Sequence, residues 1–241
     1  PPKGRGAGGN PEIGRTAAEE TENEIREAIK GSDMVFLTAG LGGGTGTGAA
    51  PLFAKIAKEE GALTIGIVTK PFMFEGKKRE RNAMQGLSEL QKYTDSLIIV
   101  SNNNLLEVIG RKPIEEAFQA ADNVLRQGVQ TISDLIAVPA LVNLDFADVR
   151  SVMQNQGAAL IGIGMADGED KAINAAEKAI QSPLLEAQIT GAKSAIINIT
   201  GGDKVSLYDA QSAVAVIQDA AGGEIDTIFG IAINEQLGDS I

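Results

Sequence analysis

Apolar positions along the chain fall into two rhythms. Short, nearly continuous apolar runs at 34–38, 63–68, 96–100, 158–164, 194–200 and 227–233 read as buried strands. Between them, apolar residues recur at three- and four-residue steps, the helical period, over 16–30, 54–60, a stretch ending near 92, 113–138, 169–181 and 206–220. Strands that alternate with helices through short connections predict an α/β architecture with a parallel sheet. The pattern at 113–138 is the longest, with Ile114, Ala117, Phe118, Ala121, Val124, Leu125, Val129, Ile132, Leu135 and Ile136, and predicts a helix buried over much of its surface. Helix punctuation agrees. Asn10-Pro11-Glu12 combines a capping residue, a proline at the first helical position and an acid in the first turn. Gly31 stops the first helical stretch and Ser206 caps the last.

Between the strand at 34–38 and the helix at 54–60 stands Gly40-Leu41-Gly42-Gly43-Gly44-Thr45-Gly46-Thr47-Gly48-Ala49-Ala50-Pro51. A glycine-rich turn lets backbone N–H groups approach an anion without an intervening Cβ. The following helix start adds unpaired N–H groups and the positive end of a dipole. Thr45 and Thr47 add hydroxyls, and the loop reads as a phosphate cradle. It lacks the Gly-Lys-Ser/Thr ending of a Walker loop. Gly44, Gly46 and Ala49 satisfy the dinucleotide spacing G-x-G-x-x-A, which would make a nicotinamide-dependent oxidoreductase an alternative. That reading needs an acidic residue at the end of the next strand, where Thr69-Lys70 stands instead.

Composition narrows the chemistry. With 43% hydrophobic residues among 241, the chain can bury one large core or two modest ones. Its 21 basic and 32 acidic residues give a net charge of −11, unfavourable for nucleic acid and for an anionic membrane surface. There is no cysteine and no histidine, so catalysis would use carboxylates, hydroxyls, lysine, arginine or a bound metal ion. No apolar run approaches the ~20 residues that cross a bilayer, so direct membrane insertion is not expected, and no signal peptide opens the sequence. A cytoplasmic chain is expected.

Three further stretches carry candidate chemistry. Lys70-Pro71-Phe72-Met73-Phe74-Glu75-Gly76-Lys77-Lys78-Arg79 follows the second strand and would lie beside the cradle, at the strand ends where α/β sheets bind ligands. Ser101-Asn102-Asn103-Asn104 reads as the turn that closes the third strand. In Asn143-Leu144-Asp145-Phe146-Ala147-Asp148, Asp145 would cap a helix and Asp148 would stand at its third position, a capping box with Asp in place of Glu. The same residues form an acidic cluster able to orient a water.

Gly42-Gly43-Gly44-Thr45-Gly46-Thr47-Gly48 and Asn143-x-Asp145-Phe146-x-Asp148 resemble the nucleotide signature and the catalytic loop of the tubulin/FtsZ family of self-assembling GTPases. The resemblance covers nearly the whole chain. It implies a GTP-binding domain with a parallel sheet over 1–112, a long central helix over 113–138 and a smaller α/β domain over 139–241. It implies GTP and GDP as ligands, with Mg2+ offsetting the phosphate charge. Nucleotide contacts would come from Gly43, Gly44, Thr45, Gly46 and Thr47. Glu75 would contact the ribose, and Arg79 would approach the nucleotide. Asn102 and Asp122 would read the guanine edge, and Phe118 would stack on the base. Gly6-Ala7-Gly8-Gly9-Asn10-Pro11-Glu12 is similar to the family's loop facing the terminal phosphate. Asn143, Asp145 and Asp148 would be catalytic, and the chain's partners would be its own copies, head to tail in a cytoskeletal filament, together with other cell-division proteins at the septum.

The expected geometry adds a mechanism. Asp122 and Pro139 are 17 residues apart in one helix. At 1.5 Å per residue that is roughly 25 Å, so the acidic loop would act on a neighbour's nucleotide. A contact between opposite ends of identical subunits builds a filament when it does not close. Family members also open with a strand, another glycine-rich phosphate loop, a helix and two more strands, and end with a further strand. None of these has a counterpart here, so a fragment or a chain with trimmed ends is expected. A non-catalytic structural or partner-binding fragment of this fold is the second expectation.

Overall fold

The computed structural model describes residues 4–110, 113–137, 145–182, 184–185, 188–223 and 225–241. In chain order the elements are α1 (Pro11–Glu19), α2 (Glu22–Ile29), β1 (Met34–Gly40), α3 (Thr45–Glu59), β2 (Leu63–Lys70), α4 (Lys77–Leu90), β3 (Ser96–Ser101), α5 (Asn102–Ile109), α6 (Ile114–Ala137), α7 (Phe146–Met153), β4 (Gly157–Ala159), α8 (Lys171–Ile180), β5 (Ser194–Gly201), α9 (Leu207–Ala221) and β6 (Asp226–Ile233), with single 3-10 turns at Met73–Glu75 and Glu235–Leu237. They form two compact units. One contains Pro1–Arg126 and Met153–Ala159, the other Gln127–Val152 and Leu160–Ile241.

In the first unit the sheet order is β1-β2-β3-β4, all parallel. β2 has neighbours on both edges and is buried along nearly its whole length, which is why its sequence is apolar at successive rather than alternate positions. Leu41, Ala50, Val68, Ala83, Leu87, Leu90 and Leu97 fill the space between β2, β3, α3 and α4. Ala18, Ile25 and Ile56 join α1 and α2 to α3. In the second unit β5 and β6 pair in parallel, and Ala172, Ala176, Ala210 and Ala213 bring α8 and α9 against Ile197, Ile199 and Ile231.

Several elements differ from the pattern reading. The stretch read as one helix over 16–30 is two helices, the first starting at Pro11, where Asn10-Pro11-Glu12 signals a helix start. Asn10 caps it by accepting the Glu12 N–H at 3.1 Å. Thr21 ends it, its backbone N–H and its hydroxyl both donating to the Ala18 carbonyl, the local competition for backbone acceptors that suits threonine to helix ends. α3 begins at Thr45 rather than near Ala54, taking the second half of the glycine stretch into the helix. Asn102–Asn104 open α5 instead of forming a turn.

The run at 158–164 is a strand only at its start, where β4 pairs with β3 of the first sheet. Beyond it the chain lies on α8. A Cβ on Gly162 would stand 2.2 Å from the Ala179 carbonyl oxygen, and one on Gly164 would stand 1.9 Å from that of Ala175. Those glycines serve close backbone packing, which mimics an apolar strand in sequence.

α6 is continuous over 24 residues. Its buried side is a single stripe, Ala117, Ala121, Val124, Ile132 and Leu135, rather than most of its surface. Ile114, Phe118 and Ile136 are exposed.

Candidate functional site

The strand register fixes where the candidate residues gather. Gly40 at the end of β1 pairs with Thr69, and Lys70 at the end of β2 pairs with Ser101 at the end of β3. The three carboxyl ends are therefore level, and the segments 40–44, 70–76 and 101–103 leave the sheet side by side. In α/β sheets this edge is where ligands bind.

Gly42 and Gly43 lead into α3. Gly42 has φ +109° and its N–H donates to Thr47 Oγ1 at 2.9 Å. Thr47 is 3% exposed, with its methyl against Gly86. Its hydroxyl oxygen therefore shapes the loop from behind, whereas Thr45 is exposed at the first helical position. Thr45, Gly46 and Thr47 form the first turn of α3, so their N–H groups have no acceptor inside the helix. A Cβ on Gly43 would meet nothing within 4 Å. The loop is open on that side, next to the positive end of the α3 dipole.

Not all of the glycines serve that opening. A Cβ on Gly44 would lie 2.6 Å from Ala7 Cβ and 2.8 Å from Asn10 N. One on Gly48 would lie 1.9 Å from the Pro11 carbonyl oxygen, and one on Gly14 would lie 2.3 Å from that of Gly44. These three let α1 and the turn before it lie directly on α3. The turn over Gly6–Asn10 is thereby held against the glycine loop, with Gly8 and Gly9 at positive φ.

Around the second strand end, Glu75 accepts the Phe72 N–H at 3.0 Å and pairs with Arg79. The Arg79 backbone and Pro71 come close to Gly42, so the 70–79 segment borders the glycine loop. Lys77 and Lys78 are exposed in the first turn of α4, a local cationic rim on an acidic chain. Phe72 is buried and stacks on Phe74 with centroids 5.1 Å apart. Phe118 of α6 meets both rings edge-on, at 5.3 and 6.2 Å. Phe118 keeps 42% of its surface exposed, and Asp122, one turn along α6, is exposed.

Asn102 begins α5 directly after β3 and is 5% exposed, yet its Oδ1 has no hydrogen-bond partner. A buried acceptor left without a donor costs about 1–3 kcal/mol, so a ligand donor there would be stabilising. The dinucleotide alternative finds no support at the strand end, because β2 finishes on Lys70.

Asp145 and Asp148 are in the second unit and exposed. They cap α7, but only half of the expected capping box forms: Asp148 returns to the Asp145 backbone, while the Asp145 side chain takes the N–H one position earlier, at Ala147. The Asp145 N–H donates to Asp148 Oδ2 at 3.2 Å, and the Ala147 N–H donates to Asp145 Oδ1 at 3.4 Å. Asn143 lies outside the described residues.

Two polar residues escaped the sequence reading. Asn103 Oδ1 accepts the Met73 N–H at 3.0 Å, joining α5 to the 71–76 segment. Asn82 Nδ2 donates to the carbonyls of Gly9 at 3.2 Å and Gly42 at 3.1 Å, bridging the two glycine turns. The available signal for Asn82 was a polar residue four positions before Gly86 on the buried side of α4. Among the described residues no group of three or more carboxylates could hold a metal ion by itself, and no helix is long and apolar enough to cross a membrane.

Comparison with known proteins gives the following. The profile of the Tubulin/FtsZ family GTPase domain matches residues 2–110, and that of the FtsZ family C-terminal domain matches residues 157–241. An empty FtsZ dimer structure from M. jannaschii is 46% identical with a TM-score of 0.93, covering 99% of this chain and 69% of that one. A mutant FtsZ from the same organism is also 46% identical, with a TM-score of 0.95 and coverage of 99% and 72%. CetZ2 from Haloferax volcanii, as a GTPγS-bound protofilament, is 23% identical with a TM-score of 0.78, covering 98% of this chain and 72% of its own, a likeness of fold.

Proposed function

The chain belongs to the tubulin/FtsZ family, and on that premise we propose that it binds GTP at the edge formed by the ends of β1, β2 and β3 and takes part in hydrolysing it on head-to-tail assembly. The observation that carries the reading is the buried, unpartnered Asn102 Oδ1 at the same sheet edge as the open, N–H-lined start of α3. One supplies an acceptor for a base, the other a cradle for phosphates. Asp122 would accept from N1–H and the exocyclic amine of guanine, a donor pair that adenine lacks. The exposed part of Phe118 would stack on the base. The N–H groups of Gly43, Gly44, Thr45 and Gly46 would face phosphate oxygens. Arg79, Lys77 and Lys78 would add positive charge at the rim. Mg2+ would bind mainly through phosphate oxygens and water, as a hard cation with few protein ligands does.

Phosphoryl transfer asks chiefly for positioning and charge stabilisation. The attacking water would be oriented by Asp145 and Asp148, with Asn143, from the next subunit. The length of α6 supports a shared site. α6 continues for 15 residues after Asp122, about 22 Å of helical rise. The contact that results is heterologous and propagates a filament. The FtsZ dimer at 46% identity supports self-association, and with it a cytoplasmic, cytoskeletal role in cell division alongside other division proteins.

Titration calorimetry with GTP, ATP and NAD tests the binding step. Micromolar binding of GTP, with ATP far weaker and NAD absent, is expected. No heat with GTP would overturn the reading and leave a non-catalytic member of the fold.

A further inference from the structure

We propose that Asn82 is a positioning residue that locks the two glycine turns into one anion-binding unit and aims the Gly43 N–H into the open side of the loop. The inference rests on the phosphate-binding reading above and adds a residue to it.

One side-chain nitrogen donates to two carbonyls from segments far apart in sequence, Gly9 at 3.2 Å and Gly42 at 3.1 Å. Both partners are acceptors, so the end of the amide facing them is the nitrogen, which has two hydrogens to give. Gly9 and Gly42 both have positive φ, +72° and +109°. Each is a backbone conformation that needs an external constraint to persist as a single state.

The direction of these bonds matters most. In a trans peptide the C=O and the next N–H point to opposite sides, and no cis peptide is present among the described residues. Holding the Gly42 carbonyl toward α4 therefore turns the Gly43 N–H away from α4. That is the residue whose would-be Cβ meets nothing within 4 Å. Holding the Gly9 carbonyl likewise turns the Asn10 N–H away, and it donates to Ala7 O at 3.1 Å, closing the turn that packs on Gly44. Asn82 is half-buried on α4, one turn before Gly86, which itself admits the Thr47 methyl. α4 thus supports the loop at two points, and among the described residues of α4 Asn82 is the side chain that hydrogen-bonds both turns.

The test compares Asn82→Ala and Asn82→Asp with the unchanged chain. Aspartate keeps the shape of the side chain and loses both donors, facing two carbonyls with a carboxylate. Without nucleotide, amide hydrogen exchange should accelerate in both 6–10 and 40–45 in either variant, with the amides of β2 unchanged. With GTPγS, affinity should fall about tenfold in both variants, the loss expected for two neutral hydrogen bonds, while the melting temperature moves by no more than about 2–4 °C. Acceleration confined to one turn, an equal rise in exchange across β2, or wild-type affinity in Asn82→Asp would overturn the proposal. If the unchanged chain does not bind GTPγS, the phosphate-binding reading falls, and the exchange measurement still decides whether Asn82 couples the turns.

Discussion

Thr47 Oγ1 accepts the N–H of Gly42 at 2.9 Å, so the residue that opens the glycine loop is fixed by a side chain from the first turn of the helix that follows it. Removing the acceptor leaves a buried N–H unsatisfied. Thr47→Val should lower stability by about 1–3 kcal/mol in urea unfolding and weaken GTP binding. Thr47→Ser should restore affinity to near the starting value. Loss in Thr47→Ser with none in Thr47→Val would assign the effect to the methyl against Gly86 instead.

Gly43 and Gly48 separate the two uses of glycine. Gly43→Ala places its Cβ in open space and at a φ that alanine can adopt. Its stability should change by less than about 0.5 kcal/mol, while GTP affinity falls because the methyl occupies the cradle. Gly48→Ala places a Cβ 1.9 Å from the Pro11 carbonyl oxygen. It should cost about 2–3 kcal/mol through displacement of α1. Urea midpoints and GTP titrations of the pair check the contrast.

Asp95 is 4% exposed at the start of β3. It accepts the Thr64 N–H at 2.9 Å and the Asn155 N–H at 3.3 Å, with Lys58 at 3.8 Å. Asn155 holds φ +55° there, outside the ordinary range for a side-chain-bearing residue. Asp95→Ala should cost about 2–4 kcal/mol, since two backbone donors lose their acceptor together. The site is at the amino ends of the strands, so GTP affinity of the folded fraction should be unchanged.

A hydrogen bond from Arg26 holds the Glu59 carboxyl below its ordinary value of 4.5, with Lys55 adding to the effect. A carboxyl with a lower value folded than unfolded stabilises the fold above its unfolded value. That contribution is withdrawn as pH falls through the folded one. Both side chains are substantially exposed, so the effect is small and screened by salt. Arg26→Gln should flatten the loss of urea stability between about pH 5 and pH 3. An unchanged acid limb would show that the pair contributes nothing.

The parts of the fold that follow from periodicity were legible in the chain. β1, β2, β3, β5 and β6 stand where apolar runs stand, and Ser206 caps α9, with Asp209 returning the bond. The Asp148 half of the α7 cap was readable for the same reason, because it is local, whereas the Asp145 side chain settles on Ala147 instead of Asp148. What could not be read was set by contacts between distant segments. Gly44 and Gly48 look like loop residues, yet they permit α1 to lie on α3. Gly162 and Gly164 look like part of a strand, yet they accommodate α8. Thr47 carries a hydroxyl that the sequence offers to a ligand and the fold turns to Gly42. Asn82 offers only its place on the buried side of α4, and its role emerges once Gly9 and Gly42 are seen beside its amide.

A mixing experiment tests the shared site most directly. Gly43→Asp brings a carboxylate to the cradle on a Cβ that meets nothing within 4 Å. Asp145→Asn keeps an acceptor for the α7 cap while removing the charge. Each variant alone should lack assembly-dependent GTP hydrolysis. An equal mixture should regain turnover at about a quarter of its interfaces, those pairing an intact cradle with an intact acidic loop in head-to-tail order. A mixture as inactive as its components, from variants that still co-assemble, would contradict hydrolysis between neighbouring subunits.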